Sequence, residues 1–165
     1  MAGYEPHAWS EFGVATVGAA AALSGLLFVA LSINIQRILA IPKLPDRAAG
    51  NLVMFVVPLV LGTWVLIPGQ PRSLLGLELL ATGLLGCGLM LWLHRPSNRV
   101  GQEARVYWLV GSTIPSAVVG GLATAAGATL IAGHGGGLYW IAPAIVIAFA
   151  TGLVGAWVLL VEILR

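Results

Sequence analysis

The distribution of charge along the chain limits its fold more than any other feature. No Asp, Glu, Lys or Arg occurs from Phe12 to Gln36, from Ala48 to Pro71, from Leu79 to His94 or from Val106 to Val161. A run of about 20 apolar residues crosses the hydrocarbon core of a bilayer. Each stretch is therefore long enough for one membrane helix or more, except the third, which reaches that length only by taking in Glu78. Of the 165 residues, 59% are hydrophobic and 8% charged. A soluble domain carries roughly 25% charged residues, so this chain has too few to cover a water-facing surface. Backbone polar groups in lipid must be satisfied within the segment itself. The expected class is an all-α integral membrane protein.

The punctuation between the apolar runs sets the helix count. Pro42 and Pro45 stop the first helix, because proline lacks an N–H and has a fixed φ. Pro68-Gly69-Gln70-Pro71 ends the second, and Arg95-Pro96-Ser97-Asn98 closes the third. The 56 uncharged residues between Arg105 and Glu162 are too many for one span. His134-Gly135-Gly136-Gly137 is the break that leaves two legal halves. The expectation is one membrane domain over residues 1–165, with helices at about 12–39, 48–67, 73–94, 105–132 and 138–163. The first apolar run is not expected to be a signal peptide. It is about 25 residues long against 7–15 for a signal core, and no Lys or Arg precedes it.

Orientation follows from the basic residues of the short loops. With five alternating helices, Arg37, Lys43, Arg47, Arg95, Arg99, Arg105 and Arg165 fall on one side, and Arg72 stands alone on the other. This predicts an external N-terminus and a cytoplasmic C-terminus. Trp9, Trp64 and Trp140 then lie near the outer boundary, and Trp92, Trp108 and Trp157 near the inner one, as interfacial indoles should. Nucleic acid is not an expected partner, since the chain has a single Lys and its Arg residues sit at helix ends. Cys87 is the only cysteine, so no internal disulfide can form.

Small residues mark the helix seams. In lipid no hydrophobic force draws helices together, so close approach at small side chains does that work. In helix 1 the stripe is Ala15, Gly18, Ala22, Gly25, Val29, Ser32 and Gln36. In helix 4 it is Thr113, Ala117, Gly120, Thr124 and Gly127, while Gly76 and Gly83 mark helix 3 and Ala148, Gly152 and Gly155 mark helix 5. These seams are expected to pack within one protomer; the sharper alternative has one of them facing another subunit. Residues 81–86 (ATGLLG) and 150–155 (ATGLVG) suggest that helices 2–3 and 4–5 are parallel copies of one hairpin. Chance matching in an Ala/Gly/Leu-rich text is the competing account.

Two polar sets lie within the spans. Glu78 stands about 9 Å along its helix from Arg72, where a charge costs less than the ~2.5–3.5 kcal/mol of mid-membrane. It is either a structural carboxyl or a proton- or cation-binding group, with Gln70, Thr63, His134, His7 and Glu11 as candidate neighbours. Ser32, Asn34 and Gln36 on helix 1, with Ser112, Thr113 and Ser116 around Pro115 on helix 4, form the second set. They serve interhelical hydrogen bonding or line a narrow vestibule. Enzyme motifs are missing: there is no Walker A sequence, no H-E-x-x-H and no Cys pair for zinc. His134-Gly135-Gly136-Gly137 looks like the oxyanion-hole loop of some esterases, but no G-x-S-x-G elbow accompanies it. No cofactor or metal is expected, because His7, His94 and His134 are divided between the two faces.

Residues 21–39 (AALSGLLFVALSINIQRIL), 42–49 (PKLPDRAA) and 65–71 (VLIPGQP) resemble a family of small bacterial polytopic membrane proteins. Some of its members carry the label "modulator of FtsH protease". The resemblance implies a bacterial cytoplasmic membrane and a protein partner, and it carries over no catalytic or binding residue. Two functions are open. The first is a non-enzymatic bundle acting by helix–helix association, as a regulator or subunit of a membrane assembly. Its partners would be the lipid bilayer and either itself or another membrane protein. The second is a small homo-oligomeric channel or transporter using Glu78.

Overall fold

A computed structural model describes residues 2–93 and 109–164. Its long helices are α1 (Ser10–Ile33), α3 (Leu44–Leu66), α4 (Arg72–Leu93), α5 (Ile114–Ala132) and α6 (Ile141–Leu164), with a short α2 (Ile35–Ala40) after α1. Five of the described segments are long and apolar enough to cross a membrane. No strand occurs among the described residues. The loop expected at 95–98, Arg99, the helix start at 105, Trp108 and Arg165 lie outside them.

Two helix boundaries differ from expectation, each for a local reason. Helix 1 is not continuous to residue 39. Asn34 adopts φ −105°, ψ 13°, its Nδ2 donates to Ala30 O at 2.9 Å, and its backbone N–H donates to Leu31 O. An Asn that competes for local carbonyls favours a break over a helical turn. The second span starts at Leu44 rather than 48. Pro45 falls in its first turn, where the missing N–H has no intrahelical partner to lose and the fixed φ suits the helix. Pro115 acts in the same way at the start of α5 and is preceded by a π-turn over Leu109–Thr113. The Gly133–Gly137 connection needs glycine, because Gly133, Gly135, Gly136 and Gly137 all have positive φ.

α3 is the central element. It packs against α1, α4 and α6, while the most extensive interface joins α4 to α5. Half of its spanning window is buried, against 17% for the first span. The core where α3–α6 meet is apolar and closed: Leu61, Leu75, Leu79, Val119, Leu130 and Ala148 are each 0% exposed. α1 is therefore an added helix resting on the outside of a four-helix bundle.

At an offset of 69 residues, the one that carries Ala81 onto Ala150, the two hairpins present matching packing positions. A Cβ added at Gly83 would meet Thr124 and Ala123, and one at Gly152 would meet Phe55 and Met54. Met54, Phe55 and Gly83 map onto Ala123, Thr124 and Gly152 at that offset, so the packing is reciprocal. Burial repeats as well. Leu75, Gly76, Leu79, Gly83 and Met90 of α4 correspond to Ala144, Ile145, Ala148, Gly152 and Leu159 of α6, and all ten are buried. Each hairpin lays its second helix on the other's first, α4 on α5 and α6 on α3, the former interface being the more extensive.

Candidate functional site

Glu78 lies half-buried on the second turn of α4, near the turn that joins it to α3. Gln70, in that turn, donates from Nε2 to Glu78 Oε2. One turn further along, Thr82 Oγ1 donates to Glu78 O at 2.7 Å and accepts from Trp64 Nε1 at 3.0 Å. The carboxyl is thus tied into the α3–α4 hairpin by its own neighbours. Of the candidates for that contact, Gln70 is the one that makes it. Thr63 bonds its own helix at Leu59 O, and His7, Glu11 and His134 are exposed. At the repeat offset, Glu78 and Gln70 correspond to Ile147 and Tyr139. The polar pair therefore belongs to one hairpin and has no symmetric mate.

The second polar set is not brought together. Ser32 Oγ donates to Phe28 O, Asn34 Nδ2 to Ala30 O and Ser116 Oγ to Ser112 O, each four residues back on its own segment. Gln36 is exposed, and Ser112 and Thr113 are half-buried. Ser32, Asn34 and Gln36 line a depression bounded by residues 32–37 alone, so it does not open into the bundle. Buried polar atoms without a partner include Ser24 Oγ on α1, Asn51 Nδ2 on α3 and Thr113 Oγ1 beside α5. They are scattered over different helices, with the closed apolar core between the hairpins.

The helix seams divide. Gly120 and Gly127 are buried at the α4–α5 interface: a Cβ on Gly76 would come 2.6 Å from Ile131 Cγ1, and Gly127 faces Gly76 and Leu80. The helix 1 seam does not pack against the described residues of the protomer. Ala15, Gly18, Ala22, Gly25, Val29, Ser32 and Gln36 are all exposed, and a Cβ on Gly18 or Gly25 would meet nothing within 4 Å. The face of α1 that meets α3 is the opposite one, carrying Gly13, Thr16, Ala20 and Leu27. Gly13 opposes Gly62 and Leu66 there, and a Cβ on Gly62 would lie 2.9 Å from Val17 Cγ2. Two stripes of small residues half a turn apart mark α1, and periodicity alone does not say which one the protomer uses.

Sequence reasoning missed three groups of contacts. Arg47 Nη1 pairs with Glu162 Oε1 at 2.8 Å, joining the start of α3 to the end of α6. Asn51, 7% exposed, packs over Gly155; the sign available was a lone Asn inside an apolar run. At the other end, Tyr4 Oη accepts from Gly136 N at 2.8 Å, Trp9 stacks edge-on to Tyr139 and Arg72 lies over the Tyr4 ring. The residues before α1 thereby close over the α5–α6 connection. Among the described residues no group of three His, Cys, Asp or Glu side chains is placed to hold a metal.

Comparison with protein-family models, curated proteins and solved structures finds no match.

Proposed function

We propose that this is a non-enzymatic membrane protein that acts by helix–helix association, as a regulator or subunit of a larger membrane assembly. The observation that carries the proposal is the outward face of α1. Its small residues, Gly18, Ala22 and Gly25, leave room for a close-packed helix that the described residues do not supply. The partner is a second copy or another membrane protein. The closed apolar core and the Gln70–Glu78 pair support the same reading, because neither offers a polar path between the two ends. The resemblance in residues 21–71 adds a bacterial cytoplasmic membrane as the setting.

The test is energy transfer between labelled copies in liposomes, together with capture from native membranes. Gly18→Leu with Gly25→Leu should abolish self-association, or remove one identified membrane partner, while the fold persists. Unchanged association and unchanged partners in that variant would reject the proposal.

A second reading, a small homo-oligomeric channel or transporter using Glu78, is favoured by one observation. Parallel repeats related by an axis along the membrane normal occur in transporters. Such proteins place their site where the repeats meet, whereas here that surface is packed with Leu, Val and Ala. Liposomes that take up no ion or proton above protein-free controls would dispose of it.

A further inference from the structure

The end of the bundle that carries Arg37, Lys43 and Arg47 has a second feature, which helix association does not use. The break at Asn34 leaves a groove of about 460 Å³ between α1–α2 and the first turns of α3. Its walls are Phe28, Leu31, Ile35 and Leu39 on one side, and Ala49 and Leu52 on the other. Through Ser32 and Ile35, which line both, the groove adjoins a polar depression of about 550 Å³ containing Asn34, Gln36 and Arg37. Ile33, Ile35 and Leu39 around this bend are exposed by 78%, 47% and 67%.

Depth explains that mixture. The 24 residues of α1 extend about 36 Å at 1.5 Å per residue, slightly more than the ~30 Å hydrocarbon core. Asn34 and Arg37 therefore lie at headgroup level, with the apolar wall from Phe28 to Leu31 at acyl-chain level. Charge adds a sign. Arg47 is engaged by Glu162, while Arg37 and Lys43 are exposed and have no ion-pair partner among the described residues. Lys43 immediately precedes the N-terminus of α3, without a capping bond from its side chain, at the positive end of the helix dipole and two residues before Pro45 of the groove. Asp46, half-buried on the first turn, is the opposing charge nearby in sequence.

We propose that this groove is a lipid site, holding one acyl chain of an anionic phospholipid with its phosphate drawn to Arg37 and Lys43. The apolar groove and polar depression follow one another along the membrane normal in the order of a phospholipid's own chain and headgroup. The two unpaired cations select the anionic class. The site shares Ser32 and Gln36 with the end of the α1 seam but none of its glycines, Gly18 and Gly25.

The experiment is native mass spectrometry of the full chain released from bilayers of mixed phosphatidylglycerol and phosphatidylcholine, with a photoactivatable phosphatidylglycerol to map the contact. Wild type should retain phosphatidylglycerol preferentially and crosslink within residues 28–52. Arg37→Gln and Lys43→Gln should each weaken retention about fivefold, as expected for one basic group near a charged headgroup. Ala49→Phe, which fills the groove from an exposed position, should reduce retention of both lipids. Ala128→Phe, exposed on α5, should leave it unchanged. Equal retention of the two lipids by wild type, indifference to both charge substitutions, or crosslinks outside residues 28–52 would each overturn the proposal.

Discussion

Glu78 shows how much one residue's neighbours decide. A carboxyl inside an apolar span reads equally well as a transport group or as a structural one. Its link to Gln70, and that of the next turn to Trp64 through Thr82, draw it into the hairpin. Glu78→Gln keeps an acceptor for Gln70 and should change stability by less than about 1 kcal/mol. Glu78→Leu leaves the Gln70 amide buried without its partner and should cost about 1–3 kcal/mol. Thermal unfolding in detergent measures both, and a large loss in the Gln variant would mean that the charge itself holds the hairpin. Asn51 is the converse case. It was visible as a lone amide in an apolar run, but its packing over Gly155 depends on a helix more than a hundred residues away.

At the scale of elements, the limits of pattern reading lie in α1. Charge-free length located the spans, and proline and glycine located most of their ends, since both act through local backbone geometry. Which of two small-residue stripes faces the bundle is not a local property. It was settled by Gly62 of α3, which accepts Gly13 and Val17 and so turns Gly18 and Gly25 outward. The consequence is measurable by detergent unfolding of the monomer. Gly25→Leu should be nearly neutral there, because the added side chain enters open space. Gly127→Leu must push α4 away at Gly76 and Leu80 and should cost about 1–3 kcal/mol or more, as overpacking does. An equal cost for the two changes would place α1 on the wrong face. The break at Asn34 was likewise hidden, because a stretch with high apolar content reads as helix whether or not one amide interrupts it.

For the whole molecule, topology is the property to test. The excess of basic residues in the short loops predicts that Arg37, Lys43 and Arg47 are cytoplasmic. Alternation of the five spans puts the Gly133–Gly137 turn on the side opposite those three residues. A reporter fused after Arg165 should be cytoplasmic and one inserted at Gly135 external; a cytoplasmic signal at Gly135 would reject the orientation. The sequence by itself determined the membrane class, the five spans and the possibility of a repeat, since each rests on composition, length or identity along one segment. Helix packing decided that the two hairpins match at an offset of 69 residues, with Gly83 on Thr124 and Gly152 on Phe55. Packing also decided that Glu78 is held within its hairpin and that α1 turns Gly18 and Gly25 away from the bundle. Those outcomes depend on which helix lies against which, and in lipid that choice is made by the fit of small surfaces between segments distant in sequence.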